Sequence, residues 1–222
     1  MILKIFLTSI IGAICNLDNS LLANIMISRP IFIGPLLGLV LGDFKIGLEI
    51  GFLFEFLFAD VLYAGTAIPL NITLLTALVL GCNAVMPNSG DALIMFVIIL
   101  SIPMIYILRQ VEIGLRAFNS QIAGTLSEYI KDEKYNHIYV SMFHSIFIFV
   151  FVNFTLLFVC IFLTSELAKI LFFKLPYNVI YALTLTYNVL PILGFAVVLN
   201  IFLSGSVFDY IKKIFCFKAT EK

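Results

Sequence analysis

Two uninterrupted apolar runs, residues 138–163 and 179–203, constrain this chain more than anything else in it. A bilayer core of about 30 Å is crossed by a helix of roughly 20 apolar residues, and both runs exceed that length. Three further stretches, 46–63, 67–84 and 91–108, lie nearer the lower limit and are also candidate spans. Composition agrees. The 222 residues are 62% hydrophobic and only 12% charged, with a mean hydropathy of +1.14. Soluble domains carry roughly 25% charged residues. Half that charge cannot coat a soluble globule of this size, whereas a lipid-facing surface needs no such coat. The expected fold is an all-α integral membrane protein, a polytopic helical bundle in the lipid bilayer.

The first third departs from simple spans. Residues 2–16 are apolar, and then Asn16, Asp18, Asn19 and Ser20 interrupt. A second run reaches Ile27, Arg29-Pro30 interrupts again, and residues 31–42 are too short to cross. Gly42-Asp43-Phe44-Lys45 reads as a polar turn. Broken or re-entrant helices survive at membrane depth only where protein or a wet cavity covers their free backbone groups. Transporters build substrate sites from such helices. Two glycine series fall in the same region. Gly34, Gly38 and Gly42 recur every four residues, as do Gly47 and Gly51. Each series opens one helix face to close backbone approach.

Residues 109–137 form a strongly polar internal stretch, with Arg109, Glu112, Arg116, Glu128, Lys131 and Asp132 among apolar residues at helical spacing. They read as an amphipathic segment and loop on the membrane surface. The tail carries Lys212, Lys213, Lys218 and Lys222, a basic cluster of the kind found on the cytoplasmic side. Two spans between loop and tail return the chain to one side, so both are expected in the cytoplasm. The expected organisation is one domain, 1–222. Its core, 1–108, carries the site, 109–137 is the cytoplasmic segment, and 138–222 holds two C-terminal spans and the tail. No cleavable signal is evident at the N-terminus.

Ionisable groups at bilayer depth are costly and mark function by default. Asp18, Arg29, Asp43, Lys45, Glu49, Glu55 and Asp60 cluster in the front of the chain. Glu55 stands out, set in Gly51-Phe-Leu-Phe-Glu-Phe-Leu-Phe58. A carboxylate there needs a cation, a proton or a polar ligand. Arg29 or Lys45 would serve, and so would sugar hydroxyls. Asp18 reads as a cap or turn residue or a wall of a polar pocket. Asn71 reads as a half-helix cap or a contact for a hydroxyl. Glu49 and Asp60 suit an interface, and His137 and His144 flank the start of the 138–163 run. Four separated cysteines, Cys15, Cys82, Cys160 and Cys216, show no metal-ligand spacing. No metal or other cofactor is expected. No catalytic triad or phosphate-binding loop is present either, so the chain is not expected to be an enzyme by itself. A net charge of zero argues against nucleic acid as a partner.

The stretch Arg29-Pro-Ile-Phe-Ile-Gly-Pro-Leu-Leu-Gly-Leu-Val-Leu-Gly-Asp43 resembles a hallmark segment of the mannose/fructose/sorbose class of phosphotransferase-system membrane subunits, component IIC. Members show an Arg-Pro opening, then Gly-Pro-Leu-x-Gly-Leu-x-Leu-Gly-Asp. A helix with Gly-x-x-x-Gly and a Glu four residues on follows, matched here by Gly47, Gly51 and Glu55. Leu17-Asp18 is similar to the family's Leu-Asp near the first helix. Arg116, Asn119, Asn136-His137 and His144 are similar to its mid-chain loop and following helix. The strong match covers about 29–71 and a weaker one extends to about 150. This chain departs at Pro69-Leu70-Asn71, where the family often has Pro-Pro-Asp, and at Glu49 and Asp60.

The resemblance implies a hetero-oligomeric sugar permease in the bacterial inner membrane. In it IIC pairs with a IID membrane subunit, and cytoplasmic IIA and IIB relay phosphate to a hexose or hexosamine-type sugar during import. It implies a mobile helical unit that carries sugar across, with Glu55 as a sugar contact. Asn71 and Asp18 are then expected to complete a polar pocket, and the glycine faces to let helices pack while a rigid group slides. The alternative from another class is the membrane component that captures a small solute, such as a vitamin, for an ATP-driven importer. Length and span count suit both, but only the first explains Arg29 through Glu55 in order.

Overall fold

The computed structural model describes residues 1–20, 25–59, 70–86, 90–131 and 135–204. The regular structure among them is helical: α1 (Ile2–Ser20), α2 (Pro30–Leu41), α3 (Phe44–Leu57), α4 (Ile72–Val85), α5 (Asp91–Lys131), α6 (Tyr135–Phe172) and α7 (Tyr177–Ser204). Four carry stretches long and apolar enough to cross a membrane: Ile2–Asn19, Asp91–Ile122, Tyr139–Phe172 and Tyr177–Ile201. The chain is a multi-pass membrane protein. The runs at 138–163 and 179–203 lie within α6 and α7. The candidate spans at 46–63 and 67–84 overlap α3 and α4, described helices of 14 residues each, about 21 Å long. Local chemistry sets those limits. The Asp43 carboxylate caps α3 by accepting from Ile46 N at 3.4 Å, and the Asn71 amide oxygen caps α4 by accepting from Leu74 N at 3.2 Å.

α1 corrects the expected break at 16–20. Asn16 and Asp18 do not interrupt the helix, which runs through them to Ser20. Both are buried, and their polarity is spent elsewhere than on ending this helix: Asn16 bonds Asn153 on α6, and Asp18 bonds the turn before α2. The polar stretch from 109 likewise continues α5 without a break as far as Lys131. Glu112, inside it, is only 1% exposed, so the start of that stretch belongs to the protein interior.

α2 begins with Pro30 at its first turn, where the missing N–H costs nothing. It ends at Gly42, in the left-handed region with φ 88°. Both the Gly42 and the Asp43 N–H donate back to the Gly38 carbonyl. This turn sends α3 back antiparallel along α2. The pair then meets through glycine. A methyl group on Gly34 would fall 2.5 Å from the Gly47 carbonyl oxygen, and one on Gly47 would fall 2.6 Å from Gly38 Cα. One on Gly51 would fall 2.6 Å from the Pro30 carbonyl oxygen. Gly34, Gly38, Gly47 and Gly51 therefore line the face on which α2 and α3 approach closely. Gly42 is the exception in its series, for it makes the turn and faces open space.

α4 lies at the centre of the bundle, touching α1, α2, α3, α5 and α6. Every residue from Ile72 to Asn83 is buried. α6 covers α1 and α5, and α7 rests on α5 and α3.

Candidate functional site

The N-terminal end of the α2–α3 pair, together with the start of α4, encloses a small polar cavity. Its walls include Asn19, Ser28, Arg29, Glu55, Phe58 and Thr73. Arg29 reaches it from the residue before α2, and Glu55 from the last turn of α3. The Arg29 guanidinium donates to Glu55 Oε1 at 3.4 Å. The other carboxylate oxygen, Oε2, accepts from the backbone N–H of Ile31 at 3.4 Å. Glu55 thus sits over the first turn of α2, where free amide N–H groups and the helix dipole favour negative charge. Both side chains keep solvent-accessible surface, 42% for Arg29 and 22% for Glu55. The pair is therefore only partly buried. It offers a carboxylate acceptor and guanidinium donors to whatever enters. The cavity holds about 40 Å³, room for water but not for a sugar ring.

The opposite wall is tied down from behind. Asp18 is 3% exposed and accepts from Ile25 N at 2.6 Å, Ser28 N at 3.3 Å and Ser28 Oγ at 3.3 Å. These bonds hold a turn in which Met26 takes a left-handed φ of 73°. A non-glycine residue adopts that conformation at a cost of roughly 1–2 kcal/mol, and the Asp18 bonds offset it. Thr73 Oγ1 donates to the Ser28 carbonyl at 2.5 Å, joining the turn to α4.

Asn71 belongs to a different cluster. It is 1% exposed, and its amide nitrogen donates to Asn16 Oδ1 at 2.5 Å and to Glu112 Oε2 at 3.0 Å. Asn16 in turn donates to Asn153 Oδ1 at 3.2 Å. Arg116 donates to Glu112 Oε1 at 3.0 Å. A buried polar chain therefore links α6, α1, α4 and α5 through Asn153, Asn16, Asn71, Glu112 and Arg116. An amide suits position 71, because its N–H groups serve Asn16 and Glu112 while its oxygen caps α4. An ionised carboxylate there would have no proton to donate to either.

The three residues read from sequence as substrate contacts are thus not side by side. Glu55 lines the cavity. Asp18 holds the turn that supplies Ser28 and Arg29, and Asn71 anchors the helix that supplies Ile72 and Thr73. Asp43 caps α3, Lys45 is exposed, and Glu49 is exposed along a groove with Phe52 and Phe195. His144 is exposed. Asp60, Pro69, Asp132 and the basic tail from residue 205 lie outside the described residues. No group of three or more metal-ligating side chains occurs among the described residues. The sequence reading missed Glu112 as a buried group and gave no role to Asn16 or Asn153. A signal existed for Asn153, a lone amide inside Phe149-Val-Phe-Val-Asn-Phe154.

Two solved structures share the architecture. One, described only as a membrane protein, aligns with a TM-score of 0.74 at 21% identity over 98% of this chain and 86% of its own. The other is a cryo-EM structure of the mannose transporter ManYZ in complex with microcin E492. It aligns with a TM-score of 0.60 at 19% identity, over 100% of this chain and 88% of that one. No curated protein matches the chain. The family described as the PTS system sorbose-specific IIC component matches residues 2–220, well beyond the 29–71 stretch that carries the strongest motifs. That breadth removes the vitamin-capture alternative: the chain belongs to the sorbose-specific IIC family of the phosphotransferase system, the mannose-class membrane subunits that translocate sugar.

Proposed function

We propose that the Arg29–Glu55 cavity is where this subunit holds its sugar. The observation that carries the reading is a half-exposed ion pair lining a polar cavity inside an otherwise apolar bundle. A carboxylate and a guanidinium together match the alternating donor and acceptor demands of a polyol. Keeping such a pair at the end of short helices in lipid is costly unless it serves a ligand.

A hexose enters once the cavity widens. The α2–α3 hairpin is the part suited to move, because glycine contacts bind its two helices into one rigid plate. It acts as a re-entrant unit whose short helices do not span alone. Glu55 accepts from sugar hydroxyls while Arg29 donates to ring or hydroxyl oxygens. Asp18 and Asn71 keep the facing wall, Ser28 and Thr73, in place, and belong to the site as positioning residues. The plate carries the sugar across in an elevator-like displacement.

Within this reading the chain works as one domain and catalyses nothing itself. A IID membrane subunit completes the passage, and cytoplasmic IIA and IIB supply the phosphate. The exposed part of 109–137 is the docking surface for the phosphate donor. The subunit resides in the bacterial inner membrane with the basic tail in the cytoplasm.

The test is hexose uptake by sealed vesicles carrying this chain with its IID, IIA and IIB partners. Uptake should require phosphoenolpyruvate and every subunit. Uptake that persists without this chain, or without any phosphate donor, contradicts the reading.

A further inference from the structure

A second cavity lies at the opposite end of the same helices. It is open on one side and has room for about 370 Å³, enough for a hexose, and its lining includes Lys4, Gly38, Asp43, Ile46, Leu80 and Asn83. Lys4 comes from the first turns of α1, Asp43 from the turn between α2 and α3, and Asn83 from the last turn of α4. Every one of these helices has its other end near Arg29 and Glu55. The two cavities are therefore separated by about 20 Å, the length of a 12- to 14-residue helix.

Three polar groups of different kind converge there. Lys4 Nζ donates to the Ala84 carbonyl at 3.2 Å, which uses one of its three N–H groups. Asp43 is exposed and spends one oxygen on the α3 cap. Asn83 is 6% exposed, and its buried Oδ1 has no hydrogen-bond partner. A buried acceptor left unpaired costs about 1–3 kcal/mol, which a ligand hydroxyl would recover once the Asn83 amide turns toward the cavity. The charges of Lys4 and Asp43 cancel, so the cavity favours neither an anion nor a cation. Donors and acceptors in one neutral, hexose-sized space fit an uncharged polyol.

We propose that this cavity is a second sugar station, where the solute rests at the other end of the hairpin. It deepens the sugar-transport reading and rests on it for the identity of the ligand, while standing on its own residues. A carrier whose rigid plate has polar cavities at both ends offers hydroxyl-binding groups at two depths.

The test uses the whole transporter in membranes. A cysteine replaces Ile46, which lines the second cavity without being one of its polar groups. Cys216 is changed to Ser, and Cys15, Cys82 and Cys160 are buried. The rate of modification by a small charged thiol reagent is read with and without mannose, fructose or sorbose. Leu48→Cys, outside the cavity, is the control. At least fivefold slowing by one hexose at Ile46→Cys, with Leu48→Cys unchanged, supports the station. Asn83→Leu should abolish that protection. Asp43→Asn, which still caps α3, should raise the hexose concentration needed for it severalfold. Glu55→Gln should leave it intact.

A hexose-independent rate overturns the station, as does protection that survives both Asn83→Leu and Asp43→Asn. Protection lost in Glu55→Gln overturns it too, because the sugar then acts through the first cavity. Uptake that works without any protection removes the station alone. Protection without phosphoenolpyruvate-dependent uptake keeps the station and removes the transport reading.

Discussion

Single side chains tie the helices of this bundle together. Asn71 shows how much rests on one amide, since it caps α4 and bonds both Asn16 and Glu112. Asn71→Ala removes a cap worth about 1 kcal/mol. It also strips a partner from two buried groups, at about 1–3 kcal/mol each. The expected outcome is a loss of several degrees in thermal melting in mild detergent. Asn71→Asp should be no better, because an ionised carboxylate repels Glu112 and cannot donate to Asn16; a melting temperature equal to the parent's would show that the polar chain contributes nothing. Asp18→Asn should be milder in stability than in transport. It weakens the bonds to Ile25 and Ser28 and so loosens the turn carrying Arg29, and the check is a rise in the uptake KM at near-normal expression. Glu55 was legible in the sequence as a lone acid in a run of phenylalanines. Glu112 was not, because its charged neighbours made it look like part of a solvated face. Only the fold, by packing α5 against α4 and α1, shows that residue 112 points inward.

At the scale of elements, the α2–α3 hairpin is the unit most fully written in the sequence. Its glycines recur every four residues, and the left-handed turn at Gly42 and the cap at Asp43 fix where one helix stops and the next starts. Gly34→Ala should be severe, because the added methyl meets backbone, which cannot swing aside as a side chain can. Overpacking of this kind costs about 1–3 kcal/mol or more. Gly114→Ala in α5 is the contrast, since a methyl there meets nothing. It should be neutral or stabilise by about 0.5–1 kcal/mol. Paired melting curves of the two variants check both. Equal behaviour would mean that the hairpin is not a tightly packed plate. The limits of α1 and α5 were illegible for one shared reason. Polar residues in a membrane chain read as interruptions, yet a helix passes through them whenever they find partners on its neighbours. Asn16 finds Asn71 and Asn153, and Glu112 finds Asn71 and Arg116.

At the scale of the molecule, the described residues hold four helices long enough to cross a membrane and three short ones, and α4 is the buried post that α1, α2, α3, α5 and α6 lean against. α7 is held on one side only and leaves Tyr181, Ile192 and Phe195 exposed. A surface of that kind faces lipid or a second membrane subunit. Co-expression with IID should therefore raise the melting temperature and the yield of this chain in mild detergent, and two subunits that never copurify would argue against a shared passage. The central claim is that a sugar sits against the Arg29–Glu55 pair. Equilibrium binding of a labelled hexose to the purified IIC–IID complex tests it most directly, comparing the parent chain with Glu55→Gln at matched folding. Affinity weakened at least tenfold is the expected result, and an unchanged affinity would place the sugar elsewhere.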